Sequence, residues 1–449
     1  MILKNTAFAD DAAMAQSALQ EAVSAGETLI IPRVNPRTGG DFYVFPRAVE
    51  LPSHAHIVLD GCHIVHAEGT FDNLFKSLHC RMEAGRKREN RLCDISVTGR
   101  AGALLDGGVH NGLTETTRAA MGMSCFQNSA IHFQNVEDFE IAGFAVTEPR
   151  YWCLTFHHCA WGSIHDIRFD CSGAGPNQDG VDLRRGCHDI TIHDLFGFTG
   201  DDVVALTNLS GGDLNCAVEG ESGDIRRVVI RDLICASSEE RGIVRLLCNN
   251  GTEIHDVVID TVIDASSPER FLRSGSAVRI NELGYFKEGL PLARCGQLSN
   301  ITVRNIVTRA RIGVELSCHA ENVVIDNVQM REDAATALLF RDGDIRHIRA
   351  RNLSYTDGMR HPETDDNTTE GPNNKRKPSQ KPPEERKVCA VYFQNAHVRD
   401  VRIDGLRAGK DLTSVFGGGN SEKVVAQDVV RLDENVPMIE GSIPLDIRD

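Results

Sequence analysis

The 449-residue chain is poor in several things that would each have pointed to a function class. It contains no run of 18 apolar residues, so no segment is suited to cross a membrane as a helix. Basic residues are in deficit, 48 Lys and Arg against 64 Asp and Glu, for a formal charge of −16. Without a basic excess to release counterions, nucleic acid and anionic membrane are excluded as expected partners. The 14 cysteines are scattered, with no Cys-x-x-Cys pair, so zinc-ribbon and thioredoxin signatures are missing. The opening MILKNTAFADDAAMAQ lacks the apolar core of a secretion signal. A cytoplasmic protein is therefore expected, with reduced thiols acting as small buried hydrophobes.

Helical periodicity is nearly missing as well, apart from one stretch. DDAAMAQSALQEAVSAG places Ala12, Ala15, Leu19, Ala22 and Val23 on one face, and Gly26 ends it. TLIIP then reads as a buried strand. Residues 1–35 thus form a cap of helix and first strand, the usual cover for the open end of a solenoid.

What fills the remainder is a recurring phrase of alternating apolar residues with Asp or Asn near its end. It reads VEDFEIAGF at Val136, HDITIHDL at His188, HDVVIDTV at His255, SNITVRNI at Ser299 and ENVVIDNV at Glu321. Period-2 alternation over such lengths predicts strands. A second short strand precedes each phrase, as in AIHF at Ala130, CLTF at Cys153, GVDL at Gly180 and VVAL at Val203. Rung starts at Ile131, Cys153, Gly180 and Val203 give steps of 22, 27 and 23 residues. Propeller blades need about 40 residues each, so the repeat predicts an all-β parallel β-helix of about ten rungs over 36–449. One segment breaks the pattern: Tyr355–Lys387 is rich in Pro, Asn and charge, and is expected to be a mobile insertion between rungs.

Two segments place carboxylates where the alternation does not call for them. GPNQDGVDL sets Asp179 just before a rung strand, and FTGDDVVAL sets Asp201 and Asp202 in the same place 22 residues later. Asp-Gly and Gly-Asp-Asp are also ordinary turn chemistry. Their separation by one solenoid turn, however, stacks all three on one face. Three carboxylates so close repel one another, and that repulsion raises at least one pKa toward that of a usable general acid.

The pair NQDGVD and GDDVVAL resembles the signature of the polygalacturonase family of pectin-degrading glycoside hydrolases, which carries Asn-Thr-Asp-Gly and Gly-Asp-Asp on successive rungs. VTGRAGALLDGGVH at Val97, EPRYWCLTF at Glu148 and the opening helix are similar to further family segments. The resemblance implies a right-handed parallel β-helix and inverting glycoside hydrolysis. It assigns Asp201 as general acid, with Asp179 and Asp202 holding and deprotonating the attacking water. It implies Asn177 and Gln178 as substrate contacts and no metal or other cofactor. The family's Gly-His-Gly aligns with Glu240-Arg241-Gly242, and its Arg-Ile-Lys with Arg279-Ile280-Asn281. Arg241 and Arg245 are candidate replacement charges for binding an acidic sugar, beside Arg279 and Asn281. A guanidinium suits bidentate carboxylate recognition.

The expected partner is an oligosaccharide, with no nucleic acid or membrane, and homo-oligomerisation is left open. Exo action on imported acidic oligosaccharides fits a cytoplasmic location. The insertions at Gly211–Gly223 and Phe286–Gln297 are candidate cleft walls. Three alternatives stand beside hydrolysis. One is a calcium-dependent lyase drawing on Arg241 and Arg279, another is a non-catalytic carbohydrate-binding solenoid, and the third is a tailspike-like fibre.

Overall fold

The computed structural model describes residues 1–4, 8–109, 125–171, 177–238, 241–266, 274–282, 292–331, 336–355, 389–410, 412–418 and 421–448. The expected mobile insertion falls, after Tyr355, outside the described residues. The chain divides into two compact units, Met1–Val204 with Gly211–Ile225, and Ala205–Ser210 with Arg226–Asp449.

The first unit opens with the cap. The helix Asp11–Ala25 starts where the Asp10 side chain accepts the Ala13 N–H at 2.7 Å, and it ends at Gly26 with φ 65°. Its buried face is Ala12, Met14, Ala15, Leu19 and Ala22, close to the expected set, with Val23 only half-buried. Asp11 is also buried, held by Arg37 and by the Val44 N–H at 2.8 Å, which ties the helix to the strand Phe42–Phe45. The strand Leu29–Pro32 alternates buried and half-buried residues and pairs in parallel with His56–Asp60.

Every strand pairing described for this unit is parallel, the arrangement of a β-helix and not of an antiparallel sandwich or propeller. Ile131 sits opposite Leu154, and Leu154 opposite Val181. The first step is therefore one residue longer than Ile131 to Cys153, because Cys153 supplies the carbonyl that accepts the Ile131 N–H and not the facing side chain. Alternation turns Ile131, Phe133, Leu154, Phe156, Val181 and Leu183 inward. Phe139 stacks on Phe156 with centroids 5.2 Å apart, and Phe133 meets Phe156 edge-on at 5.8 Å. Gly162 makes room for them, since a Cβ there would lie 2.0 Å from the Phe139 ring.

In the second unit the phrases take the burial pattern of Ile254–Asp264, with Val257, Ile259 and Val262 buried. The strands Thr336–Tyr355 and Cys389–Ala408 pair in parallel along their length, and Phe340 stacks on Phe393 at 4.6 Å. The recurrent Asn and Asp of the phrases occupy the left-handed region, as at Asp256, Asn300, Asn305, Asn322 and Asn327. Short polar side chains tolerate that conformation, and they let a strand bend without breaking its pairing. Their amides form columns from rung to rung. Asn322 donates to Asn300 at 3.1 Å, and Asn300 donates to Asp256 at 3.1 Å. Beside them Asn327 donates to Asn305 at 2.9 Å, and Asn305 to Asp260 at 2.8 Å.

Among the described residues no two cysteines are joined, and all described cysteine side chains except Cys93 and Cys295 are buried. The reading of the thiols as core hydrophobes fits this. Phe156→Ala should destabilise the first unit by about 3–5 kcal/mol, the cost of emptying a well-packed aromatic site. Urea unfolding monitored by circular dichroism checks this. A loss below about 1 kcal/mol would mean that the ring stack does not hold the rung.

Candidate active site

The two acidic motifs stand on adjacent rungs because main-chain bonds lock them there. The Gly180 N–H donates to the Asp202 carbonyl and the Val181 N–H to the Val203 carbonyl, both at 2.9 Å. The Asp201 N–H donates to the Gln178 carbonyl at 3.3 Å. Gly180 is required at this crossing, since a Cβ would lie 2.5 Å from the Val203 carbonyl oxygen. With the register fixed, Asp179, Asp201 and Asp202 each bring a carboxylate oxygen within 4.8 Å of the others. They are 2%, 3% and 0% exposed.

The flanking residues hold the cluster in place. Asn177, at φ 64°, donates its main-chain N–H to Asp201 Oδ2 at 2.9 Å, and the Asp202 N–H donates to Asp201 Oδ1 at 3.1 Å. Both Asp201 oxygens are thereby oriented by the backbone. Thr199 donates to the Asp201 carbonyl at 2.6 Å, and Gln178 anchors its amide on the Pro149 carbonyl at 2.8 Å. The side chain of Gln178 thus fastens a turn. Three converging carboxylates can share a proton, grip a water molecule or ligate a hard cation such as calcium.

Beyond Asp179 the strand Val181–Leu183 turns Asp182 outward, Arg184 follows it, and a wall packs against Arg184. It is the segment Gly211–Gly223, one of the two insertions expected to border the site; half of the other, up to Pro291, lies outside the described residues. Arg184 donates to Asp213 Oδ2 from Nε at 2.9 Å and from Nη2 at 2.8 Å, while its guanidinium lies 4.5 Å over the Trp152 ring. His157 Nε2 is 3.4 Å from the same Asp213 oxygen. Burial opposes the charge on Asp213, but Arg184 and His157 outweigh it and hold the carboxyl far below its usual range. Cys216 packs with Tyr151 and Trp152. Further along, Glu219 pairs with Lys87 at 2.8 Å, and Glu221 pairs with Arg91 and lies 3.7 Å from His158.

Arg184, Asp213, His132 and His157 carry no motif that singles them out in the sequence. A signal was present, because outward strand positions in AIHF, CLTFH and GVDLR carry His and Arg where small polar residues would serve.

The remaining candidates belong to the second unit. Arg245, Arg279 and Glu315 face one another across successive strands. Arg279 is only 8% exposed and donates from Nε to Glu315 at 3.2 Å, with Nη1 3.3 Å from Glu282. Arg341 lies 3.2 Å from the other Glu315 oxygen. Arg279 therefore points outward as expected but is already neutralised. Arg245 is buried as well and is not an ordinary exposed strand residue. Asn281 does not share the strand face with Arg279: the strand is Ser276–Ile280, and Asn281 follows it at φ 64° with its N–H on the Leu246 carbonyl at 2.8 Å. Arg241 precedes its strand, and its carbonyl accepts the Gly275 and Ser276 N–H groups at 2.8 and 3.2 Å.

The wall carries a pH signature. His158, and after it Arg91, hold the Glu221 carboxyl down to about 2 from its ordinary 4.5. A depressed carboxylate contributes stability above its unfolded pKa and loses it as pH falls through the folded one. Glu221→Gln should therefore lower the thermal midpoint at neutral pH, with the gap to wild type closing between pH 4.5 and about 2. Thermal melts across that window check this. A gap that does not change with pH would assign the loss to packing.

Residues 76–221 match the family model described as Glycosyl hydrolases family 28. No curated protein matches the chain. Among solved structures it is similar to the polygalacturonase from Erwinia carotovora ssp. carotovora, at 11% identity and a TM-score of 0.45, over 100% of this chain and 96% of that one. It is similar to a hyperthermoactive exopolygalacturonase from Thermotoga maritima, at 14% and 0.42, over 97% and 87%. It is also similar to the family 28 exopolygalacturonase of Yersinia enterocolitica, at 12% and 0.44, over 100% and 77%. The matched stretch contains Asp179, Asp201, Asp202 and most of the wall, and over these residues the chain is similar to the glycosyl hydrolases of family 28.

Proposed function

We propose that the chain hydrolyses glycosidic bonds of pectic or related acidic oligosaccharides with inversion, removing units from one end. The convergence of the Asp179, Asp201 and Asp202 carboxylates within 4.8 Å carries this reading. Asp201 donates its proton to the glycosidic oxygen as the bond to the anomeric carbon breaks. Asp179 and Asp202 hold a water molecule on the opposite face of the sugar and take its proton as its oxygen attacks that carbon. Asn177 and Gln178 set the position of the cluster and border the sugar. The wall formed by Gly211–Gly223 against Arg184 and Trp152 supports exo action, because a polymer could not pass along a covered strand face. Arg241 and Arg245 are the proposed partners of the substrate's acid group. Arg279 enters with its charge already engaged by Glu315, and Asn281 acts through the turn it makes. A cytoplasmic location, where imported oligosaccharides would be met, is part of the same proposal.

Inversion and retention differ in how far apart the two working carboxyl groups stand. Inverting carboxylates usually stand about 6.5–9.5 Å apart and retaining ones about 5–5.5 Å. Proton NMR of the first product released from a defined pectic oligosaccharide decides between them. Inversion gives the anomer opposite to that of the substrate bond, and retention gives the same one. An unsaturated product absorbing in the ultraviolet, formed only with calcium, would replace hydrolysis by β-elimination. No product from any acidic oligosaccharide would leave a binding solenoid. Asp201→Asn should lower kcat by about 10²–10⁴ with an unchanged circular dichroism spectrum. Undiminished turnover would remove Asp201 from the acid role.

A further inference from the structure

Beneath the wall lies a second cluster whose chemistry differs from that of the aspartates. His132 comes from the strand Ile131–Gln134, His157 from Leu154–His157 and Cys216 from the short 3-10 turn Leu214–Cys216. All three are fully buried, and each places a donor atom within 4.8 Å of the other two. His132 Nε2 and His157 Nδ1 are 3.1 Å apart. We propose that His132, His157 and Cys216 form a binding site for a zinc-class divalent d-block cation, which fastens the wall segment to the sheet. The proposal is independent of the hydrolytic reading.

The donor set suits such an ion and not a hard one. Imidazole nitrogen and thiolate sulfur are ligands for zinc, cobalt or copper, whereas magnesium and calcium take oxygen. Bond lengths of about 2.1 Å to nitrogen and 2.3 Å to sulfur put neighbouring ligands in a tetrahedral shell roughly 3.3–3.8 Å apart. The imidazole pair already stands near that spacing, so small ring movements would open a place for the ion. Without a cation the same pair shares one proton in a hydrogen bond. With one bound, the His132 proton shifts to Nδ1, the Cys216 thiol releases its own to solvent, and both facing nitrogens turn their lone pairs to the metal.

The outer groups fit this arrangement. Histidine ligands characteristically pass their remaining N–H to a carboxylate or another acceptor, which fixes the tautomer. His157 Nε2 faces Asp213 at 3.4 Å, and Asp213 is held from behind by Arg184. The far nitrogen of His132, Nδ1, is 3.2 Å from Cys80 Sγ, a soft acceptor for its N–H. Arg81 Nη1 is also 3.2 Å from Nδ1, but it keeps Asn73 as acceptor at 2.8 Å, and Nη2 keeps Asp72 at 3.1 Å, when Nδ1 carries the proton. Tyr151 and Trp152 pack on Cys216, so the sulfur side of the site is apolar, and the thiolate gains its stabilising charge from the ion.

Cobalt reports on this site directly, because thiolate ligation gives a near-ultraviolet charge-transfer band that carboxylate ligation does not. The full-length protein, stripped with a chelator and titrated with cobalt(II), should develop that band and saturate at one equivalent. Excess zinc should bleach it. Cys216→Ser should abolish the band, while Asp201→Asn and Cys295→Ser should retain it. Cys295 controls for the half-exposed group of Cys295, His319 and Asp344. If Cys216→Ser does not fold, His132→Gln serves in its place and should shift or remove the band. No thiolate band in the wild type overturns the proposal. So does a band that survives Cys216→Ser or is lost in Cys295→Ser.

Discussion

Parallel pairing from rung to rung is the constraint from which the local geometry follows. A strand in a parallel ladder takes its register from the strand before it, and a one-residue slip would turn every side chain to the opposite face. Because the Val181 N–H meets the Val203 carbonyl, Asp179 must come up beside Asp201 and Asp202. The same register turns Leu154, Phe156 and Leu183 inward and leaves Thr155, His157, Asp182 and Arg184 on the outer face. The core and the candidate site are two sides of one pairing.

That constraint also explains what could be read from the sequence. Alternation and the recurrent Asp or Asn announced the strands, because each reflects a local requirement: a side chain facing the core, or a turn in the left-handed region. The one-turn spacing of Asp179 from Asp201 announced the carboxylate cluster for the same reason. The anchors of the wall stayed hidden, since they are contacts between residues far apart in the chain: Asp213 with Arg184, Glu219 with Lys87 and Glu221 with Arg91. No period links such pairs. Alternation does not reach Asn281, because the strand ends at Ile280 and the backbone turns there.

Burial gives the outer face its character. Elsewhere such positions bear groups that water can solvate, but Arg184, His157 and Asp213 are covered and must satisfy one another. Desolvation penalises each charge, and the mutual attraction offsets it only while the wall is seated. The wall is therefore held by complementary polar groups more than by apolar area. Trp152 and Cys216 supply the small apolar contact that keeps water from the carboxylate–guanidinium pair.

The amide columns of the second unit have a direction. An asparagine both donates and accepts, so it can pass a hydrogen bond from one rung to the next, whereas an ionised aspartate only accepts. Asp256 and Asp260 stand where their columns begin, each receiving the amide of the following rung, and asparagine continues the line from Asn300 to Asn322 and from Asn305 to Asn327. The chain's choice between two nearly isosteric side chains thus records position along a column. Chemical ageing that converts an inner asparagine to aspartate would write a false beginning into the line. The rung above could still donate to it, but the rung below would lose its donor and face a new negative charge across one strand spacing.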